Sequence, residues 1–466
     1  MHTAVVWFRR DFRLYDHTAL VHALHWAKER QGKLLFLFHV DPYFANERTY
    51  HHAYFFQTVE QFRQTLRERG IHVHILYGEI DHVFARLTNK VNISAVFFNK
   101  DEVGRGKERD NYVKALLEKR GIEVHAYNDA HMHGAFEVLK ADGSPYKVYT
   151  PYYRAWRKLP KRPPLSIDVN ELRAYMLPIT PLAEDDERTF SIWLAQCTKR
   201  WRNIGEQDAL HALRQFIDIA LPSYHRQRDI PSILGTSRLS PHIKTGTISI
   251  RTVFHAVAQQ FGNGYDEAVE TYIKELAWRD FYHMVYAHFP FTKTEAFIEA
   301  YRHLPWSRDE KRFEAWKEGK TGFPFVDAGM RQLKEEGWMH NRLRMIVASF
   351  LTKDYLIDWR MGEGYFRQML IDYDEASNIG GWQWAASVGT DAVPYFRVFN
   401  PIEQSKKFDP DGTYIRTYVH ELAPLPSAHI HEPWKSSIKV NYPEPTVDHQ
   451  LQRQRAIALF RMDRPL

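Results

Sequence analysis

The stretch TAVVWFRRDFR, residues 3–13, decides the fold class. Its first six residues are a short run of apolar, β-branched and aromatic side chains, the pattern of a strand buried on both faces of a parallel sheet. Four more such runs follow, at Lys33–Val40, His72–Tyr77, Ala95–Asn99 and Glu123–Tyr127. Helix-period segments lie between them, over 17–30, 51–69, 80–88 and 106–120, with Gly70 and Gly121 where two of the helices should end. Strand alternating with helix predicts an α/β unit over residues 1–130, a doubly wound parallel sheet whose ligands bind at the carboxyl ends of the strands. The first strand ends on Arg9-Arg10-Asp11-Phe12-Arg13 rather than on G-x-G-x-x-G. That disfavours a Rossmann dinucleotide site and places any nucleotide cofactor elsewhere.

Outward from there the pattern changes. Residues 131–200 read as an interdomain linker, and TPYYRAWRKLPKRPP (150–164), with five basic residues and four prolines, as an extended connector. From 201 to 466 strand signals nearly vanish. Helical periodicity covers 205–220, 248–261, 265–288, 309–318, 324–335, 338–356 and 362–371, which predicts a large all-helical domain.

Composition narrows the function class. Charged residues make 26% of the 466, and Lys+Arg exceed Asp+Glu by 63 − 57 = 6, a mild lean toward polyanionic partners. Cys197 is the one cysteine, so no intrachain disulfide or cysteine-cluster metal site is possible, and a reducing compartment is expected. The longest apolar run, Leu34–Phe38, is strand-sized, and the start of the chain lacks a signal-peptide layout. A cytoplasmic protein without membrane spans is expected. The 25 histidines include no H-E-x-x-H, and no metal ligand is assigned.

Four clusters carry candidate chemistry. Thr236, Ser237, Arg238, Leu239 and Ser240 precede Pro241 in a hydroxyl-rich loop that suits phosphate or an ordinary helix cap. Glu275, Trp278, Arg279 and Tyr282 share one helical face, a poor core face but a good one for stacking on bases. Asn341, Arg344 and Met345 form a second such face, with Arg342 turned elsewhere. The segment 372–384 sets Asp374 four residues before Asn378 and ends in Gly380-Gly381-Trp382. The glycines permit close approach of something flat, Asp372 can pair with Arg344, and Asp374 can bind sugar hydroxyls. Each cluster alone also fits plain structure, as do Trp306, Trp359 and Trp382.

At these residues the chain closely resembles the DNA photolyase/cryptochrome family over essentially its whole length. The marks are VVWFRRDFRLYDHTAL, GTSRLSPHI, KELAWRDFYH, HNRLRMIVASFLTKDYLIDWR and DYDEASNIGGWQWAASVGTDAVPYFRVFNP. The resemblance implies FAD inside the helical domain. Tyr224 and residues 236–240 would hold its phosphates, and Asn341, Arg344, Asp372, Tyr373, Asp374 and Asn378 would surround its rings. It implies light-driven repair of cyclobutane pyrimidine dimers in damaged DNA by electron transfer from reduced, anionic FADH⁻, the electron returning after the ring splits. Glu275 and Asn341 would hydrogen-bond the flipped dimer. Trp278, Tyr282, Met345 and Trp384 would line its pocket, and Arg228, Arg279, Arg342 and Arg397 would grip DNA phosphates. Glu275 would stand protonated beside the apolar wall. Trp306, Trp359 and Trp382 would carry electrons to oxidised flavin.

Three features point to a class I pyrimidine-dimer photolyase acting as a monomer. Asn378 aligns with the residue facing flavin N5 in photolyases, Trp338 and Met345 stand where (6-4) photolyases carry histidines, and no long tail follows. The alternatives are a (6-4) photolyase and a cryptochrome-type blue-light receptor. The resemblance also implies an antenna chromophore between the domains, methenyltetrahydrofolate by preference, with Lys293 and Glu108 as its candidate ligands.

Overall fold

Five parallel strands build the first unit: β1 (Thr3–Phe8), β2 (Lys33–Val40), β3 (Val73–Tyr77), β4 (Ile93–Asn99) and β5 (Glu123–Tyr127), in the order β3-β2-β1-β4-β5. The computed structural model describes residues 2–45, 47, 49–178, 182–197, 199–391 and 398–462. The strands fall within two residues of their predicted bounds because the sheet is buried on both faces and its apolar runs are continuous. Ala4, Val6 and Phe8 of β1 face the helices Thr18–Glu29 and Tyr50–Glu68, while Val5 and Trp7 face Ile80–Lys90 and Gly104–Glu118. Gly70 and Gly121 adopt φ of 73° and 71° at the predicted helix ends, a left-handed conformation that glycine takes without strain.

The linker departs from expectation. Residues 149–158 of the supposed extended connector form a helix, and Tyr149, Tyr152 and Trp156 are buried against the helical domain. The aromatic residues at i, i+3 and i+7 make an apolar stripe whose burial outweighs the clustered positive charge. Further on, the helices Val169–Tyr175 and Glu184–Ala195 bury Leu172, Phe190 and Leu194 in the core of the α/β unit. The segment is thus shared between two cores rather than strung between them.

Beyond it the described chain is helical, organised around the long helix Asp266–His288 and the helices Asn341–Ser349, Trp359–Met369 and Glu375–Ala385. The two halves meet at the arginine-rich end of β1. There Arg13 and Arg251 enclose Asp16 and Asp129: Arg13–Asp129 is 2.5 Å, Arg251–Asp16 2.8 Å and Arg251–Asp129 2.7 Å. Each of these side chains is at most 3% exposed. Arg13 also donates to the carbonyl of Gly246, where a Cβ would run into the backbone of Arg10. The residues that replace a glycine-rich loop therefore lock the domains together.

Candidate active site

Helix Glu375–Ala385 begins at Asp374, whose side chain accepts from the Ser377 amide, the N-cap contact expected of an aspartate there. Just before it, Asp372 Oδ2 accepts from Arg344 at 2.7 Å, the pairing foreseen from sequence. Arg344 is held in turn by its Nε donating to the Met339 carbonyl at 2.8 Å. The second oxygen of Asp372 is buried and has no hydrogen-bond partner. A buried carboxylate oxygen left open is costly unless a further donor reaches it.

The two glycines divide their roles. A Cβ on Gly380 would collide with the ring of Tyr282, so this glycine makes room for a protein side chain. A Cβ on Gly381 would meet nothing within 4 Å: the residue lies mid-helix with its open face exposed. Only the second behaves as the close-approach glycine expected of the pair. Asn378, one turn earlier, donates from Nδ2 to Glu363 Oε1 at 3.0 Å, and the Tyr373 hydroxyl donates to the same oxygen at 3.2 Å. Burial raises the Glu363 carboxyl above its ordinary range, against the opposing pull of those two hydrogen bonds.

The hydroxyl loop joins this site through its neighbours. Tyr224 is buried against Tyr272, whose hydroxyl donates to Ser237 Oγ at 3.0 Å. Trp338 Nε1 donates to Ser240 Oγ at 3.2 Å. Arg238 takes φ of 50° and lays its guanidinium over Trp338, with Glu336 as ion partner. Its side chain is therefore committed to the protein rather than turned to a phosphate. Thr236 is half-buried and Leu239 is buried in the core beneath the loop. Lys244, Arg279 and Arg10 lie within electrostatic reach of Asp374 and hold its carboxyl well below the usual range, although burial acts in the other direction. Arg10 is itself paired with Asp101 at 2.5 Å, so Lys244 and Arg279 are the cations left beside Asp374, a surplus that suits a diphosphate. An open carboxylate oxygen, a mid-helix glycine facing free space and surplus positive charge together fit FAD.

On the outward side the expected dimer-binding residues are accessible, with corrections. Asn341 is exposed, and its side chain donates to Met345 Sδ at 4.0 Å. Trp278 stacks on Tyr149 at 3.7 Å and 7°, which occupies one of its faces. Trp384 is half-buried. Glu275 accepts from Arg228 at 2.7 Å rather than standing unpaired beside an apolar wall. That pair engages Arg228 as well, and Arg342 is paired with Asp229 at 2.7 Å. Arg279 does not face outward at all: it donates to the Ala130 carbonyl at 2.6 Å. Helix periodicity placed it on the Glu275 face, but its long side chain turns to the domain junction. Arg397 lies outside the described residues.

Of the three tryptophans, Trp382 and Trp359 are buried and Trp306 is half-buried in the same core. Trp382 packs edge-on to Phe366 at 5.0 Å and to Trp316 at 6.0 Å, and a Cβ on Gly362 would run into its ring. None of the three is in ring contact with another among the described residues. Glu363, Lys244, Tyr272 and Trp316 are the site residues that sequence reasoning passed over. Each sits in an ordinary helical pattern, and only the fold shows where it points.

A cavity of about 310 Å³ opens between the domains at the carboxyl ends of β1 and β2, and Arg10, Lys244, Tyr373 and Asp374 line it as well. Trp7, Phe38 and His39 line its depth. Burial lowers the pKa of His39 to about 4. Its lining includes seven Arg or Lys against four acids. Lys293 lies at this cavity, paired with Glu375 at 2.8 Å, whereas the exposed Glu108 is not among its lining residues.

Residues 4–168 match the family model for DNA photolyase, and residues 272–462 that for the FAD binding domain of DNA photolyase. The chain is 50% identical, over 98% of its own length and 98% of the relative's, to a deoxyribodipyrimidine photo-lyase of Alkalihalophilus pseudofirmus. A crystal structure of a bacterial class III photolyase from Agrobacterium tumefaciens is similar at 34% identity and a TM-score of 0.91, covering 99% of this chain and 98% of that one. An archaeal photolyase from Sulfolobus tokodaii, solved with two FAD molecules, is similar at 30% identity and a TM-score of 0.84, covering 99% and 100%.

Proposed function

The chain belongs to the DNA photolyase family, and from that premise we propose that it splits cyclobutane pyrimidine dimers in DNA with light, as a monomer of class I type, using FAD held beside Asp372 and Gly381. The observation that carries this reading is near-full-length identity of 50% with a deoxyribodipyrimidine photo-lyase. The open Asp372 oxygen and the free space at Gly381 support it.

When bound, reduced FAD supplies an electron on absorbing light and takes it back once the dimer has opened. The protein's part is position, electrostatics and exclusion of water. Arg344 aims Asp372, so that its free oxygen meets a donor of the cofactor. Lys244 and Arg279 would offset the diphosphate charge. Glu363 fixes the Asn378 amide through Nδ2, which would leave the amide oxygen for the cofactor. A dimer flipped from the duplex enters beside Asn341, Met345, Trp384, Tyr282 and the open face of Trp278. Glu275 receives it after exchanging Arg228 for a hydrogen bond to the pyrimidine. Arg228 and Arg342 then turn from Glu275 and Asp229 to DNA phosphates. Partly exposed ion pairs are worth about 0–1 kcal/mol, so this exchange costs little. Trp306, Trp359 and Trp382 are the proposed electron path to oxidised flavin, with Trp382 nearest the ring.

The test is illumination of the FAD-loaded protein with an oligonucleotide carrying one thymine dimer, followed by analysis of the DNA. The expected result is restoration of the two thymines in the light and none in the dark. Equal dimer content in light and dark, with FAD bound, overturns the reading and leaves a light receptor without repair.

The cavity between the domains is the proposed antenna site. Its positive lining suits an anionic aromatic chromophore, and methenyltetrahydrofolate, with Lys293 at its carboxylates, is the first candidate. The depth of the cavity and the archaeal relative with two FAD molecules favour a second flavin as the alternative. Chromatography of the chromophores released on denaturation decides between them: a folate, or FAD at two per chain.

A further inference from the structure

An edge strand presents unpaired backbone groups and needs a cover. The cover of β3 is the linker helix Glu184–Ala195, whose first turn is entirely acidic: Glu184, Asp185, Asp186 and Glu187. Asp186 accepts from the Tyr77 amide at 2.9 Å and from Arg86 at 2.8 Å. Glu187 reaches the other end of the strand, where His72 and His74 stand two residues apart and so project to one side.

Their arrangement is more than a surface contact. His72 Nε2 lies 3.0 Å from Glu187 Oε1, and the two imidazole rings meet edge to face at 4.4 Å between centroids. One ligand atom from each of His72, His74 and Glu187 lies within 4.8 Å of the other two. His74 is only 6% exposed. A buried imidazole set beside a second imidazole and a carboxylate gathers three ligand atoms around one point.

The surroundings hold the carboxylate in place. Glu187 Oε2 accepts from Arg63 at 2.8 Å, which leaves Oε1 for the histidines. Arg63 also donates to Glu60 at 2.9 Å, so its charge is shared between two acids. Ligating carboxylates are commonly steadied in this way by a second hydrogen bond. The His72 and Glu187 side chains are 20% and 29% exposed, which leaves an entry path and room for a water as fourth ligand.

We propose that His72, His74 and Glu187 form a divalent metal site of zinc type, which clamps the linker helix onto the edge of the sheet. Two imidazoles and one carboxylate are a recognised set for zinc, with metal–ligand distances of about 2.0–2.2 Å. A tetrahedron of that size sets ligand atoms about 3.3 Å apart. The 3.0 Å His72–Glu187 separation is already near this value, and side-chain rotation brings in the third ligand. The H-x-H spacing at 72–74 was visible in the sequence, but its partner stands 115 residues from His72. The proposal runs against the expectation that no histidine ligates metal.

The test titrates Zn²⁺, and Co²⁺ as a coloured probe, into the FAD-loaded protein and into His72→Ala and Glu187→Gln. Both substitutions are at partly exposed side chains, which keeps the fold intact where His74→Ala would leave a hole. The expected result is one metal per chain with micromolar or tighter affinity, weakened at least tenfold in each variant. The Co²⁺ adduct should absorb in the visible as a four-coordinate species. Zn²⁺ should also raise the unfolding temperature of the parent and not of His72→Ala, and a chelator should reverse it. Absence of binding, or equal affinity in parent and both variants, overturns the proposal.

Discussion

Two buried carboxylate clusters, one at the domain junction and one in the helical domain, differ in how completely their oxygens are used. At the junction Asp16 accepts from Arg251, Thr252 and the Leu165 amide. Asp129 accepts from Arg13, Arg251 and Thr18. All four oxygens are engaged by the chain itself. In the helical domain Asp372 gives one oxygen to Arg344 and keeps the other free. A saturated cluster has nothing left to offer a ligand and serves the fold. An unsaturated one, beside a helix whose Gly381 faces open space, is a site waiting for a partner.

The largest effect should come from breaking the saturated cluster. Arg251→Ala leaves two buried carboxylates short of a cation, a loss of about 3–5 kcal/mol by the usual cost of removing one partner. Denaturant unfolding should show it in the apoprotein and the FAD-loaded protein alike. A loss confined to the loaded form would mean that Arg251 acts through the cofactor.

The paired glycines sharpen the contrast. Gly380→Ala drives a methyl into the Tyr282 ring and should destabilise the apoprotein by about 1–3 kcal/mol, the usual range for overpacking. Gly381→Ala meets no atom and should leave the apoprotein as stable or raise it by up to about 1 kcal/mol through helix propensity, while weakening FAD binding. Identical behaviour of the two variants would remove the distinction.

How far the sequence reached can be read from such pairs. The five strands and the Arg344–Asp372 pair were legible because periodicity and local spacing determine them. The glycine pair was legible as a pair, but which glycine faces the cofactor depends on Tyr282, which arrives from another helix. The pairing of Glu275 with Arg228 was hidden because 47 residues separate them and charge counts do not choose partners. The helix at 149–158 was missed because its basic residues and prolines drew attention from the Tyr149, Tyr152 and Trp156 stripe.

Acid titration should separate the clusters by sign. Burial works to raise Asp129, but Arg13 and Arg251 outweigh it and hold the carboxyl well below its ordinary range. Its stabilising contribution is therefore present above about pH 3.9 and lost as pH falls through the lower folded value. Burial raises Glu363, so its contribution is present below about pH 4.3 and lost as pH rises through the folded value. Glu363→Gln should make the apoprotein as stable as the parent near pH 3 and more stable than the parent at pH 7. Unfolding midpoints across that range check it, and a variant less stable than the parent at pH 7 would contradict the assignment.

The most direct test of the central claim is the FAD affinity of Asp372→Asn, measured beside the stability of its apoprotein. Asparagine keeps an oxygen for Arg344 but removes the charge paired with it; the Arg344 side chain is 26% exposed and also donates to the Met339 carbonyl, so apoprotein stability should fall by no more than about 1 kcal/mol. Loss of a charged acceptor for the cofactor should weaken FAD binding by about 1.5–3 kcal/mol, roughly 10- to 100-fold. Unchanged FAD affinity, or a loss of apoprotein stability as large as that of Arg251→Ala, would show that Asp372 serves the fold and that the cofactor lies elsewhere.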